Sequence, residues 1–154
     1  MDIALDATAR EWRDRARRFA DEELIPREGE AELNEGRLPP EVEKRHKRLA
    51  IELGFSAMDV PKSRGGREAR IVDQVAVWEQ LGRVTNALCW CFSEAQSWMF
   101  EACSEDQIQR FILPLVSGAR KECYAITESG PGSDVSIETT ARRAKDGYAI
   151  NGEK

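Results

Sequence analysis

Histidine is nearly missing from this chain: one residue, His46, in 154. A nucleophile–histidine pair is therefore not arguable, and a zinc set built on imidazoles is not expected. Long apolar runs are missing too. No segment approaches the ~18 residues that a membrane-spanning helix needs. There is no basic excess, since 23 Lys and Arg stand against 28 Asp and Glu for a net charge of −5. That balance argues against a nucleic-acid-binding face. The start, Met1-Asp2-Ile3-Ala4, lacks the basic patch and apolar core of a signal peptide, which makes a cytoplasmic protein the expectation. Gly130-Pro131-Gly132 lacks the third glycine and following helix of a dinucleotide fingerprint, and no phosphate-binding Gly-x-x-x-x-Gly-Lys run occurs.

Four cysteines are present, Cys89, Cys91, Cys103 and Cys123, each in an apolar context. They read as reduced, buried thiols. With 41% hydrophobic and 33% charged residues, the composition is that of a soluble globular domain. The length allows one domain, or one domain plus a piece of another.

Helical periodicity dominates the first part. Leu5, Ala9, Trp12, Ala16 and Phe19 fall at gaps of four and three, which places them on one helix face. Pro26 is expected to end that helix, and Glu28 to Leu38 to form a loop. Pro39-Pro40 opens a second helix whose stripe is Val42, His46, Leu49, Ala50 and Leu53, with Gly54 as its cap. His46 on that stripe reads as a packed histidine. A third helix spans Ala69 to Arg83, with Val72, Val75, Ala76 and Leu81 facing inward. Ala87 to Cys103 is apolar nearly all round and is expected to be one buried helix. Its Trp90, Phe92, Trp98 and Phe100 read as core or interface packing, with the lining of a ligand pocket as the alternative. Ser104, with Gln107 three residues on, forms a capping box before a short final helix.

After Gly118 the pattern changes. Cys123 to Thr127 is short, apolar and strand-like; Ile137 to Ala141 alternates; Ala144 to Gly147 has turn chemistry; and Tyr148 to Ile150 returns as a strand. Between them, Glu128 to Asp134 is a polar turn whose glycines let a ligand approach the backbone closely. The fold class is mainly α: a helical bundle followed by the first strands of a β structure. A lone hairpin is barely stable, so those strands need more chain or a partner.

In order and spacing, Cys123-Tyr124-Ala125-Ile126-Thr127-Glu128-Ser129-Gly130-Pro131-Gly132-Ser133-Asp134, followed by Thr139 to Arg142 and Asp146 to Lys154, resembles the middle segment of the acyl-CoA dehydrogenase family. Gln107 to Gly118 looks like the helix before that family's flavin strand, and Leu53-Gly54-Phe55 with Val60-Pro61 and Gly65-Gly66 is similar to its helix-to-loop passage. The resemblance covers roughly residues 3 to 154. It implies an N-terminal helical domain over residues 1–120 and the start of a middle β-barrel domain over 121–154, with a C-terminal helical domain to follow.

The implied cofactor is FAD, with Tyr124, Ile126 and Thr127 against its isoalloxazine ring. Ser133 and Gly132 match positions at the acyl-CoA substrate, and Glu128 and Asp134 are expected to fix the turn. The implied reaction is α,β-dehydrogenation of an acyl-CoA thioester, the implied electron acceptor an electron-transfer flavoprotein, and the implied assembly a homo-oligomer. Two departures stand out. Ser129 replaces the family's usual proline, and the chain ends at Lys154, before the family's catalytic glutamate. No catalytic residue and no metal ligand is assigned here, and the 154 residues alone are expected to lack activity. An acyl-CoA oxidase, a flavin monooxygenase-like member, and a non-catalytic helical assembly subunit that pairs with a fuller dehydrogenase are the alternatives.

Overall fold

The computed structural model describes residues 4–92, 94–130 and 137–154. It separates into two compact units, Met1–Glu122 and Cys123–Lys154.

The first unit is helical. α1 (Ala7–Phe19) starts where the Asp6 carboxylate accepts the Ala9 N–H, and Arg17 and Arg18 complement the dipole in its last turn. The helix does not stop before Pro26, as the sequence suggests. A π-helical turn over Ala20–Leu24 runs into a 3-10 turn over Ile25–Arg27. The wider turn resets the register so that Pro26 falls in the opening turn of a new segment, where its missing N–H costs little. A short helix, α2 (Glu28–Glu32), then occupies part of the expected loop.

α3 (Pro40–Leu53) begins and ends as its prolines and glycine dictate. Gly54 closes it with φ of 88° and hands over to a 3-10 turn carrying Phe55. α4 (Ile71–Leu81) packs along α1. The Arg70 guanidinium binds Asp6 and Asp73 and so ties the starts of the two helices together. Ala76, Val77 and Leu81 are buried, whereas Val72 and Val75 face solvent.

The first core centres on Phe55, which is 1% exposed. Its ring lies 5.8 Å from Phe19 and 6.4 Å from both Trp12 and Phe92. A second cluster gathers Ala57, Val60, Ala95, Ile108, Ile112 and Leu115.

The expected single helix from Ala87 to Cys103 is broken. Asn86 and Ala87 both have φ of 54°, a 3-10 turn covers Leu88–Trp90, and α5 begins only at Ser97 (Ser97–Ala102). Distant polar groups impose the break. The Glu28 carboxylate accepts the Thr85 N–H at 2.7 Å, and the Asp59 carboxylate accepts the Ser97 N–H at 2.9 Å, which caps α5 from 38 residues away. The capping box of Ser104 and Gln107 opens α6 (Glu105–Gln107), which continues through a π-helical turn into α7 (Leu113–Val116).

The second unit carries one hairpin. β1 (Thr140–Ala144) pairs antiparallel with β2 (Gly147–Asn151), Thr140 opposite Asn151 and Ala144 opposite Gly147. All residues of both strands are exposed. Just beyond β2, Gly152 passes so close to Thr139 that a Cβ there would collide with it. Cys123 to Thr127 forms no strand, because no ladder partner reaches it among the described residues.

Candidate functional site

In the second unit, Tyr124, Ile126 and Thr127 lie on an exposed run, and Tyr124 is 86% exposed. No backbone–backbone hydrogen bond engages Cys123 to Glu128 among the described residues. A run whose N–H groups and carbonyls, that of Ile126 apart, make no hydrogen bond among the described residues, with the Thr127 hydroxyl and apolar surface on Tyr124 and Ile126, suits the polar edge of a flat heteroaromatic ring. Gly132, Ser133 and Asp134 lie outside the described residues.

Glu128 anchors the run. Its carboxylate accepts the Glu138 N–H at 2.6 Å and the Thr139 N–H at 3.0 Å, and it pairs with the Lys154 ammonium at 2.9 Å. The same ammonium donates to the Ile126 carbonyl at 3.0 Å. Residues at both ends of the unit are thus clamped through two side chains. The Thr139 hydroxyl, Lys154 and the two N–H groups pull the Glu128 pKa down to about 2. The hydroxyl stands beside the carboxylate, but its geometry falls outside that of a hydrogen bond, and its oxygen is buried with no partner among the described residues. The Glu128 side chain is only 13% exposed. It is covered at short range in a thin unit, so its partners, not burial, set its pKa. Glu128 ties the run to Glu138, Thr139 and Lys154 and is too committed to act as a base, while the turn it is expected to fix runs into residues outside those described.

The first unit holds a carboxylate that sequence reasoning passed over. Glu94 lines a polar recess of about 190 Å³ with Ser56, Asp59, Gln74, Trp78 and Gln96. Burial first, then the negative charges of Asp59 and Glu122, push its pKa up to about 7. Its only signal in sequence is a lone carboxylate inside the apolar stretch from Leu88 to Phe100. His46, by contrast, is buried against Phe19 as expected, and desolvation lowers its pKa. Cys89 is buried, and burial pushes the Cys91 thiol up to about 12, so neither is a reactive thiolate. Cys123 departs from the expected burial and is exposed. Among the described residues no group of three or more His, Cys, Asp or Glu side chains could hold a metal ion, and no helix is long and apolar enough to cross a membrane.

The helical first unit defines the class of protein, and comparison with known proteins identifies it as an acyl-CoA dehydrogenase N-terminal domain. The family description "Acyl-CoA dehydrogenase, N-terminal domain" matches residues 6–119. The chain belongs to the acyl-CoA dehydrogenase family. It is 30% identical to the caffeyl-CoA reductase-Etf complex subunit CarC of Acetobacterium woodii, over 90% of this chain and 37% of that protein. It is 32% identical to the benzylmalonyl-CoA dehydrogenase of Aromatoleum aromaticum, over 100% of this chain and 41% of that protein. An acyl-CoA dehydrogenase from Bacillus anthracis, solved in complex with FAD, superposes with a TM-score of 0.76 at 25% identity, covering 96% of this chain and 26% of that one. The chain therefore spans well under half the length of each of these relatives.

Proposed function

We propose that this chain forms the N-terminal helical domain, residues 1–120, and the opening of the middle β domain, residues 121–154, of a flavin-dependent acyl-CoA dehydrogenase. Tyr124, Ile126 and Thr127 hold FAD, and Gly132 and Ser133 contact the acyl-CoA. The observation that carries the reading is the exposed Tyr124–Thr127 run, which makes no backbone–backbone hydrogen bond among the described residues and is tied down by Glu128 and Lys154, in a chain of this family. FAD would accept the substrate's β hydrogen with its electron pair. The chain's own part is to present backbone groups and the Thr127 hydroxyl to the ring edge. Glu128 stays ionised and keeps the run in place. Burial and neighbouring charges perturb Glu94, but its recess belongs to the helical unit and is assigned no catalytic step. The base that removes the α proton is none of the residues assigned here. The electron acceptor is an electron-transfer flavoprotein or a similar carrier, a reading supported by the Etf complex of the CarC relative. A cytoplasmic homo-oligomer remains the reading for location and assembly.

Titration of the chain with FAD, followed by backbone amide resonances, tests the site. Saturable shifts are expected at Tyr124, Ile126 and Thr127, weakened several-fold by Thr127→Val. Shifts scattered elsewhere, or none, would refute the assignment. The chain by itself is expected to oxidise no acyl-CoA with an artificial acceptor, and measurable turnover would show that a base is present.

Exposed Trp90 and Trp98 favour a second reading, the helical assembly subunit that pairs with a fuller dehydrogenase. Sedimentation decides it, since a stable monomer at high concentration argues against that role.

A further inference from the structure

A cavity in the first unit has no part in the proposed function. It encloses about 370 Å³ between the start of α3 and the turn after Asn86, within the size range of small-molecule sites. Its charge is one-sided. Lys44, Lys47 and Lys121 line it against a single carboxylate, Glu43. None of these lysines has an ion-pair partner among the described residues, whereas arginines make nearly every ion pair described in the molecule. The rest of the lining includes apolar groups, Leu38, Leu88, Trp90 and the neutral Cys91 thiol. The Trp90 indole is 74% exposed, an unusual state for a tryptophan beside a cavity.

The backbone at the rim is strained. Gly36, Asn86 and Ala87 all have positive φ, and two of them are not glycine. Such conformations persist only where surroundings enforce them, and they concentrate at ligand sites. Here the enforcement is visible: the Asn86 amide donates to the Glu28 carbonyl and to the Thr85 hydroxyl, which holds the turn open beside Gly36.

We propose that this cavity binds a small amphipathic anion, its carboxylate or phosphate head among Lys44, Lys47 and Lys121 and its flat apolar body on Trp90. Three ammonium groups without an ion-pair partner among the described residues favour an anionic head, and the indole and Leu38 favour an apolar body. Buried His46 adds no charge at neutral pH, so the lysines alone supply the attraction.

The test uses the whole chain with phenyl phosphate, phenylacetate, benzyl alcohol and inorganic phosphate as probes. Saturable shifts of the Trp90 indole and Ala87 amide resonances are expected with at least one of the two aromatic anions. The tighter of the two identifies the head group. Benzyl alcohol and inorganic phosphate, each lacking half the recognition, should bind at least about tenfold more weakly. The double variant Lys44→Gln/Lys47→Gln removes two of the three ammonium groups and should weaken anion binding about tenfold, while glutamine preserves the helix. Lys62→Gln, outside the cavity lining, should leave binding unchanged. Circular dichroism confirms that each variant is folded. No saturable shift with either anion, benzyl alcohol binding as tightly as both, or an unaffected double variant would each overturn the proposal.

Discussion

Two glutamates, one in each unit, have been pushed in opposite directions. Glu94 in the helical unit is raised to about 7, and Glu128 in the hairpin unit is lowered to about 2. The difference reflects how each unit holds itself together. In the first unit the carboxylate stands among packed side chains with other carboxylates nearby, so its charge is the intruder. In the second unit, where both strands are wholly exposed, the charge is the fastener. One unit is held by apolar burial and tolerates a carboxylate as a neutral acid. The other has little to bury and depends on charge-assisted bonds to N–H groups and an ammonium.

The sharpest way to break the comparison is to remove apolar packing where it is densest. Phe55→Ala deletes a ring in contact with Trp12, Phe19 and Phe92 and should cost about 3–5 kcal/mol of stability. Urea unfolding followed by tryptophan fluorescence measures this. A cost below about 1 kcal/mol would mean that the cluster is loosely packed.

A smaller effect is expected in the second unit. Glu128 has a lowered folded pKa, so its contribution is complete above the unfolded value of 4.5 and is lost as pH falls towards about 2. Amide resonances of Glu138 and Thr139 should titrate together with that midpoint. Lys154→Met removes the ammonium 2.9 Å from the carboxylate and should move the midpoint upward. An unchanged midpoint would assign the lowering to the Thr139 hydroxyl and the two N–H groups.

The elements legible in the sequence are those fixed by neighbours along the chain. The α1 stripe, the Pro39-Pro40 opening and Gly54 close of α3, the Ser104–Gln107 box and the hairpin all follow from contacts within a few residues. What stayed hidden was decided across longer separations. The run from Ala87 to Cys103 is apolar on all sides, so periodicity says nothing about where it bends. Glu28 and Asp59, distant in sequence, decide that. Val72 and Val75 were indistinguishable from Ala76 by composition, yet α1 covers only one face of α4. The strand expected over Cys123 to Thr127 has the right residues and no ladder partner among the described ones. In the candidate site, Tyr124, Ile126 and Thr127 are proposed from the motif, and the structure adds that they lie on an exposed run. The clamp between Glu128 and Lys154 joins residues 26 apart and has no local signature.

The smallest effect isolates Glu94. A carboxyl whose folded pKa lies above its unfolded one stabilises most below pH 4.5, and that contribution is lost as pH rises through about 7. His46 runs the other way. Its pKa is lowered by burial, so the unfolded chain takes up its proton first and stability falls as pH drops below about 6.5. The two slopes oppose each other in the intact protein, and a single pH–stability curve conceals both. Glu94→Gln separates them, because glutamine keeps the shape and cannot ionise. The variant should match the parent at pH 4.5 and exceed it at pH 8 by about 1 kcal/mol, after allowance for solvent screening in an open recess. Paired urea titrations at the two pH values give the difference directly, with the His46 contribution common to both proteins. Equal stability at pH 8 would mean that water reaches Glu94 freely and that burial and its acidic neighbours, Asp59 and Glu122, do not govern it.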